Sequence, residues 1–135
     1  MRAQVGIEVM GVVGFVFLIL IPLLTGFYTY SSDFWERLAI EKADAAAERI
    51  ANAVDMVGPQ GDAMLVQEIV VPKNVEKIKV DGREIVFTLV TSSGATDIVK
   101  ATSYEVRGDI GILREGSYYI KAEAKRGIVY LELGE

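Results

Sequence analysis

The chain has 135 residues, of which 51% are hydrophobic and 24% charged, and its formal net charge is −5. Lys and Arg are spread along the sequence rather than clustered, which argues against nucleic-acid binding. Cysteine and histidine are both absent, which excludes disulfides, thiolate chemistry and catalysis by histidine and removes the commonest transition-metal ligand. The scarcity of Asn and Gln fits either a thermophilic source or ordinary variation in a short chain.

The hydrophobic residues concentrate near the N-terminus. Residues 9–32 contain no charged side chain, and a membrane-spanning helix needs about 20 such residues. Aromatic residues follow at once, at 27–30 and 34–35, as is typical of a membrane–water boundary. A secretory signal has a shorter apolar region followed by a small-residue cleavage site. We therefore predict a retained span, with Arg2 on the cytoplasmic side and the acidic remainder outside.

A helical pattern continues beyond the apolar segment. One stripe of apolar residues recurs every three or four positions, at Ile40, Ala43, Ala47, Ile50, Val54 and Val57. Gly58 and Pro59 are expected to end the helix, and Pro22 to kink it or loosen one turn. The stripe can pack on the following domain or form a coiled-coil seam, and its alanines and short length favour the first.

From Gly61 the pattern changes to the two-residue period of β-strands. We predict six strands: Met64–Val71, Val75–Val80, Arg83–Thr91, Asp97–Val106, Ser117–Ala124 and Ile128–Leu133. Asp81-Gly82 and Lys125-Arg126-Gly127 are expected to form hairpin turns. The predicted fold class is α+β: a long hydrophobic N-terminal helix followed by a small, mostly antiparallel sheet or β-sandwich head domain.

The first eight residues carry the most specific motif, Arg2-Ala3-Gln4-Val5-Gly6-Ile7-Glu8. This segment resembles the class III signal peptide of archaeal type IV pilins. The resemblance implies cleavage between Ala3 and Gln4, with Gln4, Gly6 and Glu8 as the first, third and fifth mature residues. The chain departs from the family in its very short leader and in having Ala3, rather than Gly, before the cut.

The resemblance implies an organisation of leader (1–3), helix (4–58) and β-rich head (61–135). Within the helix, residues 4–32 would be the membrane and filament-core segment and 33–58 its amphipathic continuation. The core segment would include Val9, Val13, Phe15, Phe17, Leu20, Pro22, Leu24 and Phe27. Glu8 would meet the N-terminal amine of a neighbouring subunit. As a simpler alternative, Glu8 only favours the helix N-terminus, an effect of about 0.3–1 kcal/mol.

The function implied is a structural subunit of an extracellular type IV pilus-like filament, anchored in the membrane before assembly. Its partners would be copies of itself, a prepilin peptidase, an assembly ATPase and a platform protein. One alternative is a membrane-anchored binding or adhesion module that does not polymerise, and another is a minor pilin or archaellin-like subunit.

Other residues suggest little chemistry. The serine pairs lack a histidine partner and no phosphate-binding loop is present, so we expect neither an enzyme nor a cofactor. The acidic pairs Asp55 with Asp62 and Asp97 with Asp109 lack EF-hand spacing, so no metal is expected. The tyrosines at 118, 119 and 130 form either an adhesive patch or, more commonly for strand aromatics, core and cross-strand contacts.

Overall fold

The computed structural model describes residues 2–134 and confirms the predicted α+β class. Helix α1 (Arg2–Val57) is followed by a 3₁₀ turn (Gly58–Gln60) and seven strands. The strands are β1 (Met64–Val71), β2 (Val75–Asp81), β3 (Glu84–Thr91), β4 (Gly94–Ala101), β5 (Glu105–Gly108), β6 (Gly116–Lys125) and β7 (Ile128–Leu133). The chain divides into two compact units at residues 36 and 37, called here the N-terminal unit and the head unit.

The N-terminal unit is helical throughout. The helix is unbroken at Pro22, although this residue has no backbone N–H to donate to the carbonyl of Leu18. The polar side chains that follow are satisfied by the helix itself. Thr25 Oγ1 donates to the carbonyl of Ile21 at 2.9 Å, and Thr29 Oγ1 donates to the carbonyl of Thr25 at 3.1 Å. The helix therefore continues through the proline; whether it bends there stays a prediction.

The helical part of the head unit ends where the sequence predicts, at Val57. Gly58 is required there because a Cβ on this residue would overlap the ring of Tyr104. Pro59 follows within the 3₁₀ turn, and it cannot extend an α-helix hydrogen-bond ladder. Pro59 thus ends the helix, and Gly58 leaves room for the ring of Tyr104 beside its last turn.

The predicted apolar stripe packs in the core of the head unit. Five of its six members are buried together with the strands, and Ile40 is partly buried. This confirms packing on the head domain over a coiled-coil seam. The buried face is wider than predicted, since Ala46, Ala51 and Ala53 are also buried.

The strands form two sheets, ordered β1-β6-β7-β5 and β2-β3-β4. All pairs are antiparallel except β5 with β7, which is parallel. Both sheets contribute to one core, which contains, among others, Ile69, Ile78, Ile85, Phe87, Leu89, Ile120 and Leu131.

Both predicted hairpins are present. In the first, Asp81 pairs with Glu84, so the turn residues are Gly82 and Arg83, one position later than the predicted dipeptide. In the second, the turn residues Arg126 and Gly127 have φ of 52° and 81°, and positive φ at both positions is typical of a type I′ turn.

The predicted strand Asp97–Val106 is wrong. This region contains two strands in different sheets, β4 and β5, and β4 begins earlier, at Gly94. The chain crosses between the sheets at residues 102–104. There Thr102 Oγ1 donates to the carbonyl of Tyr104 at 2.8 Å, and the N–H of Ser103 donates to Asp55 Oδ1 at 2.8 Å. These hydrogen bonds replace strand pairing and let the backbone change sheets.

Backbone hydrogen bonds also join the two sheets. The β2–β3 turn accepts two of them. The carbonyl of Gly82 accepts from the N–H of Val106 in β5 at 2.6 Å, and the carbonyl of Arg83 accepts from the N–H of Thr102 at 2.8 Å. On β2, the N–H of Ile78 donates to the carbonyl of Gly111 at 3.2 Å. The outer strands bond instead to the helical part of the head unit. Lys100 of β4 pairs with Asp44 at 2.9 Å, and Arg49 donates to the β1 carbonyl of Glu68 at 3.3 Å.

Candidate functional site

The predicted processing residues lie at the start of α1. Arg2 is its first residue, and Ala3, Gln4, Gly6 and Glu8 occupy its first two turns, all exposed. Met1, the first residue of the predicted leader, lies outside the described residues.

The position of Glu8 argues against the simpler explanation that its carboxylate only favours the helix N-terminus. It is the seventh residue of the helix, and the first turn contains no acidic residue. The helix dipole acts mainly within the first turn, so it gives Glu8 little stabilisation. Between residues 2 and 134 no hydrogen bond or ion pair involves the side chains of Arg2, Gln4 or Glu8.

The predicted core-segment residues are exposed on the chain by itself. The exposed fraction runs from 41% at Leu20 to 69% at Phe27, and Pro22 is exposed as well. From residue 9 to residue 24 no side chain has a hydrogen-bonding group, so the helix is apolar on every side. Of the residues described, this is the one helix long and apolar enough to cross a membrane. A helix of this kind is normally covered by protein or lipid.

The glycines of this segment have no steric role within the chain. A Cβ added at Gly6, Gly11, Gly14 or Gly26 would meet no atom within 4 Å. Each glycine costs about 1 kcal/mol of helix stability relative to alanine. Small residues of this type allow a second helix to approach closely.

Aromatic residues mark the end of the apolar segment. Tyr28 and Tyr30 are exposed, and Phe34 and Trp35 contact each other edge to face, with ring centroids 5.8 Å apart. Asp33 is the first charged residue after Glu8. Tyr and Trp combine an apolar ring with a polar O–H or N–H group, which suits them to the membrane–water interface.

The acidic residues considered for metal binding are separated and partly engaged. Asp55 accepts from the backbone of Ser103, and Asp97 Oδ1 accepts from Thr88 Oγ1 at 2.7 Å. No group of three or more acidic residues suited to a metal ion occurs in the part of the chain that the structure describes.

Two ion pairs of the head join different secondary-structure elements. Lys121 and Glu132 are 2.8 Å apart on neighbouring strands; this hydrogen bond raises the pKa of Lys121 and lowers that of Glu132. The hydrogen bond to Asp44 likewise raises the pKa of Lys100. With pKa values shifted in these directions, Lys100 and Lys121 stay protonated and Glu132 stays ionised at neutral pH.

The three tyrosines differ in burial. Tyr118 packs against the core, whereas Tyr119 and Tyr130 are exposed on the outer face of the four-stranded sheet. Sequence reasoning missed two further surface features. One is Ile112, which is 79% exposed. The other is an open cleft at the β6–β7 turn.

Comparison of the chain with protein-family models, characterised proteins and solved structures finds no match.

Proposed function

We propose that the chain is a structural subunit of an extracellular type IV pilus-like filament. Residues 9–32 would anchor it in the membrane before assembly and pack against other copies in the filament core afterwards. The observation that carries this proposal is the exposure of the apolar helix on all sides. Of the sixteen residues from 9 to 24, thirteen are large and apolar, and all thirteen are exposed.

The energetic cost of leaving this surface in water is large. Burying one such side chain completely contributes about 1.5–3 kcal/mol. The thirteen side chains are 41–78% exposed, so covering what remains contributes roughly 10–20 kcal/mol. A whole folded domain is stable by only about 5–15 kcal/mol. Lipid or other copies of the helix must therefore cover it. In lipid, the hydrophobic effect does not drive helices together, because lipid tails already cover their apolar surface. Outside the membrane, bundling of the helices buries that surface from water and is favourable.

Residues at the N-terminus favour the filament over a plain anchor. A carboxylate at the edge of a hydrocarbon zone is costly unless it is paired, and Glu8 has no hydrogen-bond or ion-pair partner among residues 2–134. Cleavage after Ala3 would create an amine at Gln4, and this amine on one copy can pair with Glu8 of another. The resemblance to archaeal type IV pilins supplies the remaining partners: a prepilin peptidase, an assembly ATPase and a platform protein.

The first test is the N-terminal mass of the protein in filaments sheared from native cells. We expect a chain that begins at Gln4, found in the filament fraction. A chain that retains Met1 and occurs only in membranes would contradict the proposal.

A second test separates assembly from processing. We expect Glu8→Gln to leave cleavage intact and to abolish filaments, because the neutral amide cannot form the ion pair. Glu41→Gln is the matched control: it is another exposed glutamate of the same helix, outside the apolar segment, and should assemble normally. Equal assembly by both variants would remove the proposed role of Glu8.

A membrane-anchored binding module is the second candidate, favoured by the exposure of Tyr119 and Tyr130 on one sheet face. Exposed aromatic residues are common in binding surfaces. This alternative predicts that Tyr119→Ser with Tyr130→Ser abolishes attachment of cells to a surface while the protein stays in the membrane fraction.

A further inference from the structure

Ile112 is an exposed apolar residue on a loop that is otherwise anchored. It is 79% exposed, more than any other large hydrophobic residue described in the head unit. Its neighbours Ile110 and Leu113 are each only 7% exposed and belong to the core. Gly111 adopts a φ of 72° and accepts a backbone hydrogen bond from Ile78. The loop therefore holds one isoleucine outward on a fixed base.

An open cleft lies beside the β6–β7 turn. Its volume is about 810 Å³, and its apolar lining includes Met64, Ile128 and Tyr130. Charged residues at the same cleft are Asp62, Glu123, Lys125 and Arg126. The cleft thus offers an apolar surface on which a side chain can pack, with charged residues beside it. Protein interfaces have the same arrangement of an apolar centre and a polar rim.

Ile112 does not occupy the cleft of its own molecule. It is 79% exposed, and the residues that line the cleft do not include it. The ends of β6, Gly116 and Lys125, are nine residues apart, which is about 30 Å along a strand. Ile112 precedes Gly116 by four residues, which reach at most about 14 Å, so at least about 16 Å separates Ile112 from Lys125 at the β6–β7 turn. The isoleucine and the cleft are therefore two separate patches.

The charges around the two patches are complementary. Asp109, Arg114 and Glu115 surround Ile112 in the sequence and are exposed. No ion pair or side-chain hydrogen bond is found for these three residues within the described chain. At the cleft, Lys125 pairs with Glu123 at 3.0 Å, whereas Asp62 and Arg126 have no such partner between residues 2 and 134. The loop thus offers two acidic residues to Arg126 and one basic residue to Asp62.

We propose that Ile112 of one copy inserts into the cleft formed by Met64, Ile128 and Tyr130 of the next copy. Because the two patches differ, the contact is heterologous and propagates as an open polymer unless its rotation closes a ring. This contact rests on the proposed filament and names the surfaces through which its head domains adhere.

The absence of cysteine allows a direct test by cross-linking. Ile112→Cys and Lys125→Cys are combined in the full chain, and filaments are treated with a short thiol cross-linker. We expect a ladder of covalent multimers after denaturation. The control combines Ile112→Cys with Val99→Cys, since Val99 is half-exposed on β4 and lies outside both patches; it should give no ladder.

The outcomes distinguish the two proposals. If the unsubstituted protein forms no filaments, the proposed function fails. If it forms filaments but the Ile112/Lys125 pair gives no ladder above the control, the head contact is wrong and the filament proposal stands. If the double variant does not assemble, mixed filaments of the two single variants replace it, and a covalent dimer is then the expected product.

A second variant tests the contact without cysteine. Ile112→Asp should leave the unfolding midpoint of the head unchanged, because the side chain is exposed, and should raise the concentration needed for assembly about tenfold or more, as for an interface hot spot. Leu133→Asp, at a residue that is 46% exposed and outside both patches, is the control. Assembly of Ile112→Asp at the unsubstituted concentration would overturn the proposal.

Discussion

Truncating Ile50 to alanine tests whether the helix forms part of the core of the head unit. Ile50 is fully buried, with 0% exposure, in the cluster that includes Phe87 and Leu131. It lies in the middle of the apolar stripe, three residues after Ala47 and four before Val54. Alanine has the higher helix propensity, so any loss of stability must come from packing.

The expected loss follows from the atoms removed. Ile50→Ala deletes three buried carbon groups, and at about 0.8 kcal/mol each their transfer contributes roughly 2.4 kcal/mol. The cavity left behind adds to this, and measured losses for such changes are about 2–5 kcal/mol. We therefore expect a decrease of about 3–4 kcal/mol in the free energy of unfolding, a large share of the stability of a small domain.

Urea denaturation of the full chain in detergent micelles provides the measurement. The tyrosine signal is followed, because four of the six tyrosines lie in the head unit and the one tryptophan does not. The midpoint should fall while the slope stays constant, since the exposed area on unfolding changes little. In thermal melts the same loss corresponds to about 12–30 °C for a domain of this size.

Met56→Ala is the matched control. Met56 lies on the same part of the helix and is 61% exposed, so its truncation should change the free energy of unfolding by no more than about 0.5 kcal/mol. Equal and small effects of both substitutions would show that the stripe does not pack against the strands and would refute the assignment of the core.

Three further predictions concern the head. Gly108→Ala should destabilise it by about 2 kcal/mol or more, because φ is 144° and the new Cβ would overlap the backbone of β7; urea melts measure this. Asp55→Ala should accelerate hydrogen exchange at the amide of Ser103, which loses its acceptor. Lys121 lowers the pKa of Glu132 below its ordinary 4.5, so the stability that this pair contributes is present above pH 4.5 and is lost as pH falls through the lower folded value. Glu132→Gln should therefore make the acid-side decline of the unfolding midpoint shallower.

Each of these variants has a control. Gly61 also has positive φ, at 78°, but open space around its Cβ position, so Gly61→Ala should cost less than the substitution at residue 108. Asp62→Ala should leave exchange at Ser103 unchanged. Glu115→Gln should leave the acid titration unchanged. If a control variant shows as large an effect as the variant with which it is compared, the contact described for that residue is wrong.

Local chemistry made several of the element boundaries predictable. The helix end, both predicted hairpins and the alternation of β6 follow from Gly58-Pro59, from glycine at turns and from the two-residue period. The split between β4 and β5 was not predictable, because no glycine or proline marks residues 102–104. The break depends on a helix residue, Asp55, nearly fifty positions earlier in the chain.

The features of the candidate site also differ in whether the sequence predicts them. The exposed apolar segment could be predicted from composition alone, whereas the roles proposed for Gln4, Gly6 and Glu8 come only from the family resemblance. The cleft could not, because the β1–β6 pairing brings Met64 beside Glu123. The buried alanines beyond the predicted stripe were missed because a helical pattern read alone does not show that strands pack against more than one of its faces.

The position of β7 dictates when the head can finish folding. This strand is the last of the seven along the chain, yet it lies between β6 and β5. Its parallel partner β5 begins 23 residues earlier, since Glu105 pairs with Ile128. Until residues 128–133 have joined the sheet, β5 has no neighbour in it and the core lacks Val129 and Leu131. A chain that is still being synthesised therefore has an incomplete core, open to proteases, until β7 inserts.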